Sequence, residues 1–147
     1  DDFCFEYSSN FEKLLFKHKS VEFDLLAEAE LGNPFTNAGA GARLRVGSYE
    51  NYYSDYESSS SGSFQWYLYS EIKGEYVFYN ATMEGGLFNK KSVYTLSNVN
   101  RLLGNFVAGV KLIFSNTLIE ISHQYCTKEY KTGMVHQWGY LNFQFAF

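Results

Sequence analysis

The chain has 147 residues and a net charge of −4, and this length predicts a single domain. Its 12 Lys and Arg residues are scattered and form no basic stripe, which excludes nucleic acid as a partner. Aromatic residues make up 20% of the chain, yet the mean hydropathy is only −0.28. Apolar side chains must therefore be interspersed with polar ones, as alternating strands require.

No apolar run approaches the roughly 18 residues that a membrane-spanning helix needs. A location in a bilayer would therefore require a closed β-barrel, which satisfies its backbone hydrogen bonds without helices. The chain starts at Asp1 without a signal-peptide pattern, so we expect a mature or truncated sequence.

The N-terminal third predicts three strands. The segment from Phe3 to Phe16 predicts a less regular strand. Residues 21–31 alternate between an apolar and an acidic side, and residues 37–47 repeat this alternation after a turn at residues 32–35. The second and third segments together predict a β-hairpin.

The polar sides of this hairpin carry opposite charges. Carboxylates lie on one strand and arginines and glycines on the other: Glu22, Asp24, Glu28 and Glu30, then Gly39, Gly41, Arg43 and Arg45. Closing the hairpin around Pro34 places Glu22 and Asp24 roughly opposite the two arginines, while the glycines leave room opposite the other carboxylates. We therefore expect salt bridges inside a lumen.

The middle of the chain continues the strand pattern after an interruption. Residues 49–63 are rich in Tyr and Ser and predict a long solvent-facing loop. Residues 64–79 resume the alternation. Residues 101–114 and 117–127 predict a tight hairpin through the two-residue junction Ser115-Asn116.

In bacterial transmembrane β-barrels, short turns face the periplasm and long loops face outward. Because consecutive strands alternate in direction, the side on which each loop lies constrains the number of strands. With Phe147 at the periplasmic end, the segment 128–136 is external. The Tyr- and Ser-rich loop is external as well only if residues 80–100 contain one additional strand, near residues 88–96. We therefore expect seven or eight strands.

The C-terminal segment 137–147 alternates aromatic and polar residues and stops on Phe147. This ending resembles the C-terminal β-signal of outer-membrane barrels. A flat aromatic edge strand would promote aggregation in a soluble protein. A soluble lipid-binding barrel, with aromatics inward, fits poorly with the acidic and Arg-bearing faces. The sequence predicts an all-β, antiparallel up-and-down transmembrane β-barrel.

No histidine has a metal-ligand spacing or a neighbouring nucleophile. His18 is expected in a turn and His136 in a loop. His123 shares the apolar side of its strand, and Ser122 lies on the opposite side, so the two cannot act as a dyad.

Other candidate motifs also favour structural roles. The glycines at 38–42 lack the third glycine and helix of a dinucleotide loop, and the strand carboxylates are spaced too regularly for an obvious calcium loop. Cys4 and Cys126 are expected as free thiols. The sequon Asn80-Ala81-Thr82 matters only in a host that glycosylates.

Three segments together resemble the outer-membrane lipid A 3'-O-deacylase family (LpxR-like). They are LGNPFTNAGAGARLRVGS at 31–48, FQWYLYSEIKGEYVFYNATMEGGLF at 64–88, and SHQYCTKEYKTGMVHQWGYLNFQFAF at 122–147. The order and spacing are similar to those of the family's C-terminal half. The resemblance implies part of a twelve-stranded barrel in the bacterial outer membrane that removes a 3'-linked acyl chain from lipid A, with calcium and a His base.

The resemblance also implies that the family's catalytic residues precede Asp1. We therefore assign no catalytic, cofactor or metal residue to this chain, expect no bound cofactor and expect inactivity without an upstream segment. The alternative is a small eight-stranded structural or adhesive outer-membrane barrel without enzymatic activity. The two differ in whether the first strand pairs with the last.

Overall fold

The structure is a computed structural model, and it describes residues 4–49, 64–85, 98–114 and 116–145. The Tyr- and Ser-rich loop beyond Tyr49, the strand expected at 88–96, Ser115 and Phe147 lie outside the described residues. Among the described helices, none has the length and apolar character needed to cross a membrane.

The described residues form one antiparallel sheet in which every strand lies beside its sequence neighbours, in the order β1 to β7. The elements are β1 Glu6–His18, β2 Val21–Gly32, β3 Phe35–Ser48, β4 Phe64–Asn80, α1 Ala81–Glu84, β5 Leu102–Phe114, β6 Thr117–Cys126 and β7 His136–Phe145. The all-β, antiparallel, up-and-down prediction is confirmed. Within the described residues, β1 pairs only with β2 and β7 only with β6, so the sheet is open.

The N-terminal strand has the expected irregularity. Its register against β2 shifts between Leu14 and Phe16, where one extra residue interrupts the pairing. Two positions expected in connections belong to strands instead: His18 is the last residue of β1, paired with Val21, and His136 is the first residue of β7, paired with Cys126. Backbone pairing extends these strands beyond their alternating sequence pattern, because hydrogen bonding does not require an apolar side chain.

The structure pairs β4 directly with β5, from Phe64 opposite Phe114 to Tyr76 opposite Leu102. The two strands are direct hydrogen-bonding neighbours in the sheet, and the strand expected near residues 88–96 lies outside the described residues. Consecutive strands then alternate in direction, and Ser48 and Phe64 lie at the same end of the sheet as Phe145. We call this the Phe145 end and the opposite one the Asn80 end.

The two faces of the sheet differ in chemistry and exposure. The charged face carries the carboxylates and arginines of β2 and β3, and Glu22 and Asp24 on it are 0% exposed. The apolar face carries exposed aromatic and aliphatic side chains, among them Phe143 at 54% and Phe145 at 64%. This arrangement inverts that of a soluble protein, in which apolar side chains are buried and ionised ones exposed.

Candidate functional site

The charged face is the candidate site, because it brings ionisable residues from at least five strands together. The hairpin register confirms the prediction from sequence, with Glu22 opposite Arg45 and Asp24 opposite Arg43. Gly39 lies opposite Glu28 as expected, whereas Gly41 lies opposite Leu26 rather than a carboxylate. The expectation for Gly41 was wrong because Leu26 interrupts the acidic residues on this side of β2.

Each buried carboxylate has a cation on a neighbouring strand: Asp24 pairs diagonally with Arg45, and Glu22 pairs with Lys17 directly opposite on β1. Asp24 Oδ2 lies 3.2 Å from Arg45 Nη2, and Glu22 Oε1 lies 2.7 Å from Lys17 Nζ on β1. The Arg45 guanidinium also lies 5.9 Å from the centre of the Tyr67 ring. A buried carboxylate without a cation would be strongly unfavourable, so these cations offset part of the cost of burying Glu22 and Asp24.

Arg43 connects three strands. Its Nη1 atom lies 2.6 Å from Glu12 Oε1 on β1, and its Nε atom donates to Glu71 Oε2 on β4 at 3.0 Å. Nearby, Lys73 Nζ donates to Glu28 Oε2 at 2.8 Å. Charge-assisted hydrogen bonds of this kind fix both the register and the lateral position of the strands.

Further along the sheet, Tyr69 donates its hydroxyl hydrogen to Glu120 Oε1 at 2.5 Å. Both residues line a cavity of about 250 Å³ on the charged face, together with Arg43, Arg45 and Lys111. Side chains of both signs surround this cavity. It can therefore hold water or a small polar group.

Sequence reasoning missed several members of this network. Glu12, Lys17, Glu71, Lys73 and Glu120 belong to it, although only the β2–β3 hairpin was assigned charged pairs. The sequence does indicate that these residues lie on the charged face, because they alternate with apolar neighbours along their own strands. Their partners could not be read from the sequence, since each pair joins different strands.

The described carboxylates do not suit calcium, which takes six to eight oxygen ligands. Glu12, Glu22, Asp24, Glu28 and Glu71 each contact a Lys or Arg side chain. No three His, Cys, Asp or Glu side chains among the described residues are grouped closely enough to hold a metal ion. This part of the chain therefore does not fit a calcium site.

The histidines do not converge on a nucleophile within the described residues. His18 lies at the Phe145 end and His136 at the Asn80 end of the sheet. His123 pairs with Ala108 and is exposed on the apolar face, and Ser122 pairs with Gly109 on the charged face. The separation predicted for Ser122 and His123 is confirmed.

At the Asn80 end, α1 is anchored by polar contacts that the sequence did not predict. Asn80 Oδ1 accepts from Thr82 N at 3.0 Å, so the sequon asparagine is the N-cap of this helix. Both terminal nitrogens of Arg101 donate hydrogen bonds to the Glu84 carboxylate. The hydrogen bond from Arg101 lowers the pKa of Glu84 below its usual value.

The two cysteines are free thiols, as expected. Cys4 is exposed near the start of β1, and Cys126 is buried at the end of β6. The remaining connection at the Asn80 end, residues 127–135, is held to residues 98–100 by a bridge between Val99 and Tyr130. This arrangement places the segment expected to be external beside the start of β5.

Comparisons with known proteins agree with this architecture. A solved structure, LpxR from Salmonella typhimurium, matches with a TM-score of 0.72 at 16% sequence identity. The match covers 97% of this chain and 52% of that chain, so this chain spans about half the length of the solved protein. At this identity the likeness shows the fold. No curated protein matches the sequence.

A family model gives the assignment that the fold alone does not. The model for the outer membrane protein LpxR matches residues 1–147, which is the full length given. On this match, together with the open antiparallel sheet and its exposed apolar face, the chain belongs to the LpxR family of outer membrane proteins.

Proposed function

We propose that this chain is the C-terminal part of a lipid A 3'-O-deacylase-like esterase of the bacterial outer membrane. The observation that carries the membrane placement is the exposed apolar face, which includes Phe106, Ile121, Leu141 and Phe143. The seven described strands have 10 to 17 residues. A tilted transmembrane β-strand needs about 9–11 residues, so each is long enough to cross a bilayer.

In this proposal the apolar face contacts lipid and the charged face lines the lumen. Each buried carboxylate has a cation beside it on the same face, as in Glu22 with Lys17 and Asp24 with Arg45. Such compensation keeps ionised side chains in a confined interior without an unpaired charge. The chain would then supply barrel wall, with its connections at the Asn80 end toward the outer surface. Ser48 and Phe64, which flank the Tyr- and Ser-rich segment, would lie at the periplasmic end rather than the external end expected from the sequence.

The barrel of the proposed enzyme has twelve strands, of which the described residues of this chain provide seven and an upstream segment most of the others. Two observations support this division. The described parts of β1 and β7 have no partner on their outer edges, and an unpaired edge in a bilayer leaves backbone groups unsatisfied. The chain also corresponds to 52% of the solved structure it matches.

We infer that the catalytic residues lie in the upstream segment, where a histidine acts as general base in hydrolysis of an ester bond of lipid A. Two features support this inference. The described histidines lie at opposite ends or on the apolar face, and the described carboxylates contact cations rather than forming a calcium site. Alone, this chain is then inactive.

The alternative function is a small eight-stranded structural or adhesive barrel. It requires hydrogen bonds between the first and last strands. In the described residues β1 and β7 pair only with β2 and β6, which favours the first proposal.

Release of fatty acid from lipid A tests the proposal. The chain is incubated with lipid A alone, together with the upstream segment, and with calcium either added or chelated, and products are analysed by mass spectrometry. We expect release of the 3'-linked acyl chain only when chain, upstream segment and calcium are all present. Equal release by this chain alone would show that its own residues are catalytic.

A further inference from the structure

A groove of about 610 Å³ lies over the paired strands β4 and β5 near the Asn80 end of the sheet. It is lined by Ile72, Gly74, Leu102, Gly104, Thr127 and Lys128, among others. Ile72 and Leu102 are exposed side chains of the apolar face, which places the groove on the side that contacts lipid in the proposed function. Its volume lies within the roughly 300–1,000 Å³ of small-molecule sites.

The floor of the groove is a glycine that the packing does not require. Gly74 pairs directly with Gly104, and a Cβ atom on Gly74 would meet nothing within 4 Å. On Gly41, by contrast, a Cβ atom would lie 2.4 Å from Ile72 O, so that glycine is needed for close strand packing. Glycine weakens a strand interior by about 0.5–1 kcal/mol relative to Ala. Glycine at position 74 therefore leaves the groove open, although a larger side chain would fit there without a steric clash.

One wall of the groove is fixed by Thr127. Its Oγ1 atom accepts from Gly104 N at 2.8 Å, and its own N–H donates to Gly104 O at 2.9 Å. A Cβ atom on Gly104 would lie 3.3 Å from Thr127 Cγ2, so the methyl group packs over that glycine. These bonds satisfy the polar atoms of the wall and leave methyl and methylene groups facing the groove.

The groove carries a positive charge beside its apolar lining. Lys128 is exposed immediately after β6, and its backbone oxygen accepts from Asn100 Nδ2 at 2.7 Å. Two lysines of the charged face, Lys17 and Lys73, contact carboxylates. Lys128 has no ion pair with any described residue. An apolar channel next to an available ammonium group complements a molecule with a hydrocarbon chain and an anionic head.

We propose that this groove binds one acyl chain of a phosphorylated membrane lipid, whose phosphate contacts Lys128. The inference rests on the proposed function only for the placement of the apolar face against lipid, and no catalytic step is involved. The position fits, because strand ends lie near the headgroup region while Gly74 and Ile72 lie deeper along β4. A lysine at this level can extend its ammonium group to the headgroups.

Native mass spectrometry of the chain, extracted from membranes together with its upstream segment, tests the groove directly. Phosphatidylglycerol and diacylglycerol, which lacks the phosphate, are titrated with identical acyl chains, and bound lipid is counted. Gly74→Leu fills the groove, and we expect it to reduce retention of both lipids about tenfold, or 1.4 kcal/mol. Gly139→Leu is the matched control, because Gly139 lies on the apolar face of β7 and a Cβ atom there comes no closer than 3.9 Å to Ser122 O.

The contact with phosphate is tested on the exposed connection, where substitutions leave the strands intact. Lys128→Gln is expected to lower retention of phosphatidylglycerol to the level of diacylglycerol. Lys131→Gln, on the same connection, is expected to leave it unchanged. Release of bound lipid by inorganic phosphate alone would overturn the role of the acyl chain, and equal effects of the two lysine variants would overturn that of Lys128.

Heat-modifiable migration on a gel separates failure of this inference from failure of the proposed function. A chain that inserts into vesicles, yet retains the same lipid in the Gly74→Leu and Gly139→Leu variants, would overturn the groove alone. A chain that does not insert, even together with its upstream segment, would overturn the membrane placement and the groove together.

Discussion

The charged and apolar faces are built from the same strands with the same period of two residues, yet they hold the sheet in different ways. On the charged face, Arg43 contacts β1 and β4, and Arg45 contacts Asp24 diagonally across the hairpin. On the apolar face, neighbours such as Ile121, Val110 and Leu141 are in register without polar contacts. The comparison teaches that specific pairing is concentrated on the charged face, whereas the apolar face requires only apolar character.

The largest expected effect comes from reversing a charge on the charged face. Asp24→Lys places an ammonium group beside Arg45 and Arg43 at a position that is 0% exposed. We expect a loss of about 3–5 kcal/mol in the free energy of unfolding, measured with urea in detergent micelles. Glu6→Lys makes the same charge change at an exposed position and should have little effect. An unchanged unfolding curve for Asp24→Lys would contradict the role of the ion pairs.

A cation on the apolar face should have the next largest effect. Ile121 lies in the middle of β6 and is 52% exposed, so Ile121→Arg presents a guanidinium group to hydrocarbon. We expect a loss of about 2–4 kcal/mol in unfolding free energy in lipid vesicles. Gln124→Arg, on the charged face of the same strand, should cost much less. Equal losses for the two variants would mean that the faces have been assigned to the wrong sides.

A methyl group distinguishes the two faces by packing alone. In Gly41→Ala the Cβ atom would approach Ile72 O to 2.4 Å, and the required shift should lower the unfolding free energy by about 1–3 kcal/mol. In Gly74→Ala the methyl group enters open space, and the gain in strand propensity should stabilise the sheet by about 0.5–1 kcal/mol. Thermal unfolding monitored by circular dichroism compares them. Destabilisation by both substitutions would show that the groove is closed.

The smallest effect concerns pH at the Asn80 end. The folded state holds the pKa of Glu84 below 4.5, first through the hydrogen bond from Arg101. The stabilisation is therefore fully present above the unfolded pKa and is lost as the pH falls through the lowered folded value. An NMR titration of the Arg101 side chain in micelles should show a transition below pH 4.5. Glu84→Gln should abolish it, and persistence of the transition in that variant would assign it to another group.

Much of the fold could be predicted from the sequence because side-chain alternation reports strand faces directly. The hairpin of β2 and β3 is confirmed to its register, since a two-residue connection at Asn33-Pro34 and opposite charges leave few alternatives. The same alternation of side chains correctly placed Ser122 and His123 on opposite faces of β6. It failed at His18 and His136, where backbone pairing continues beyond the apolar pattern.

The sequence by itself determined the class of this protein, because the alternation of apolar and charged residues predicts strands with one apolar and one charged side. Only the tertiary structure decided that β4 pairs directly with β5, that Arg43 reaches Glu12 and Glu71, and that Gly74 meets Gly104. The physical reason is that periodicity is a property of one strand, whereas these contacts depend on the stagger between strands, which no single segment encodes.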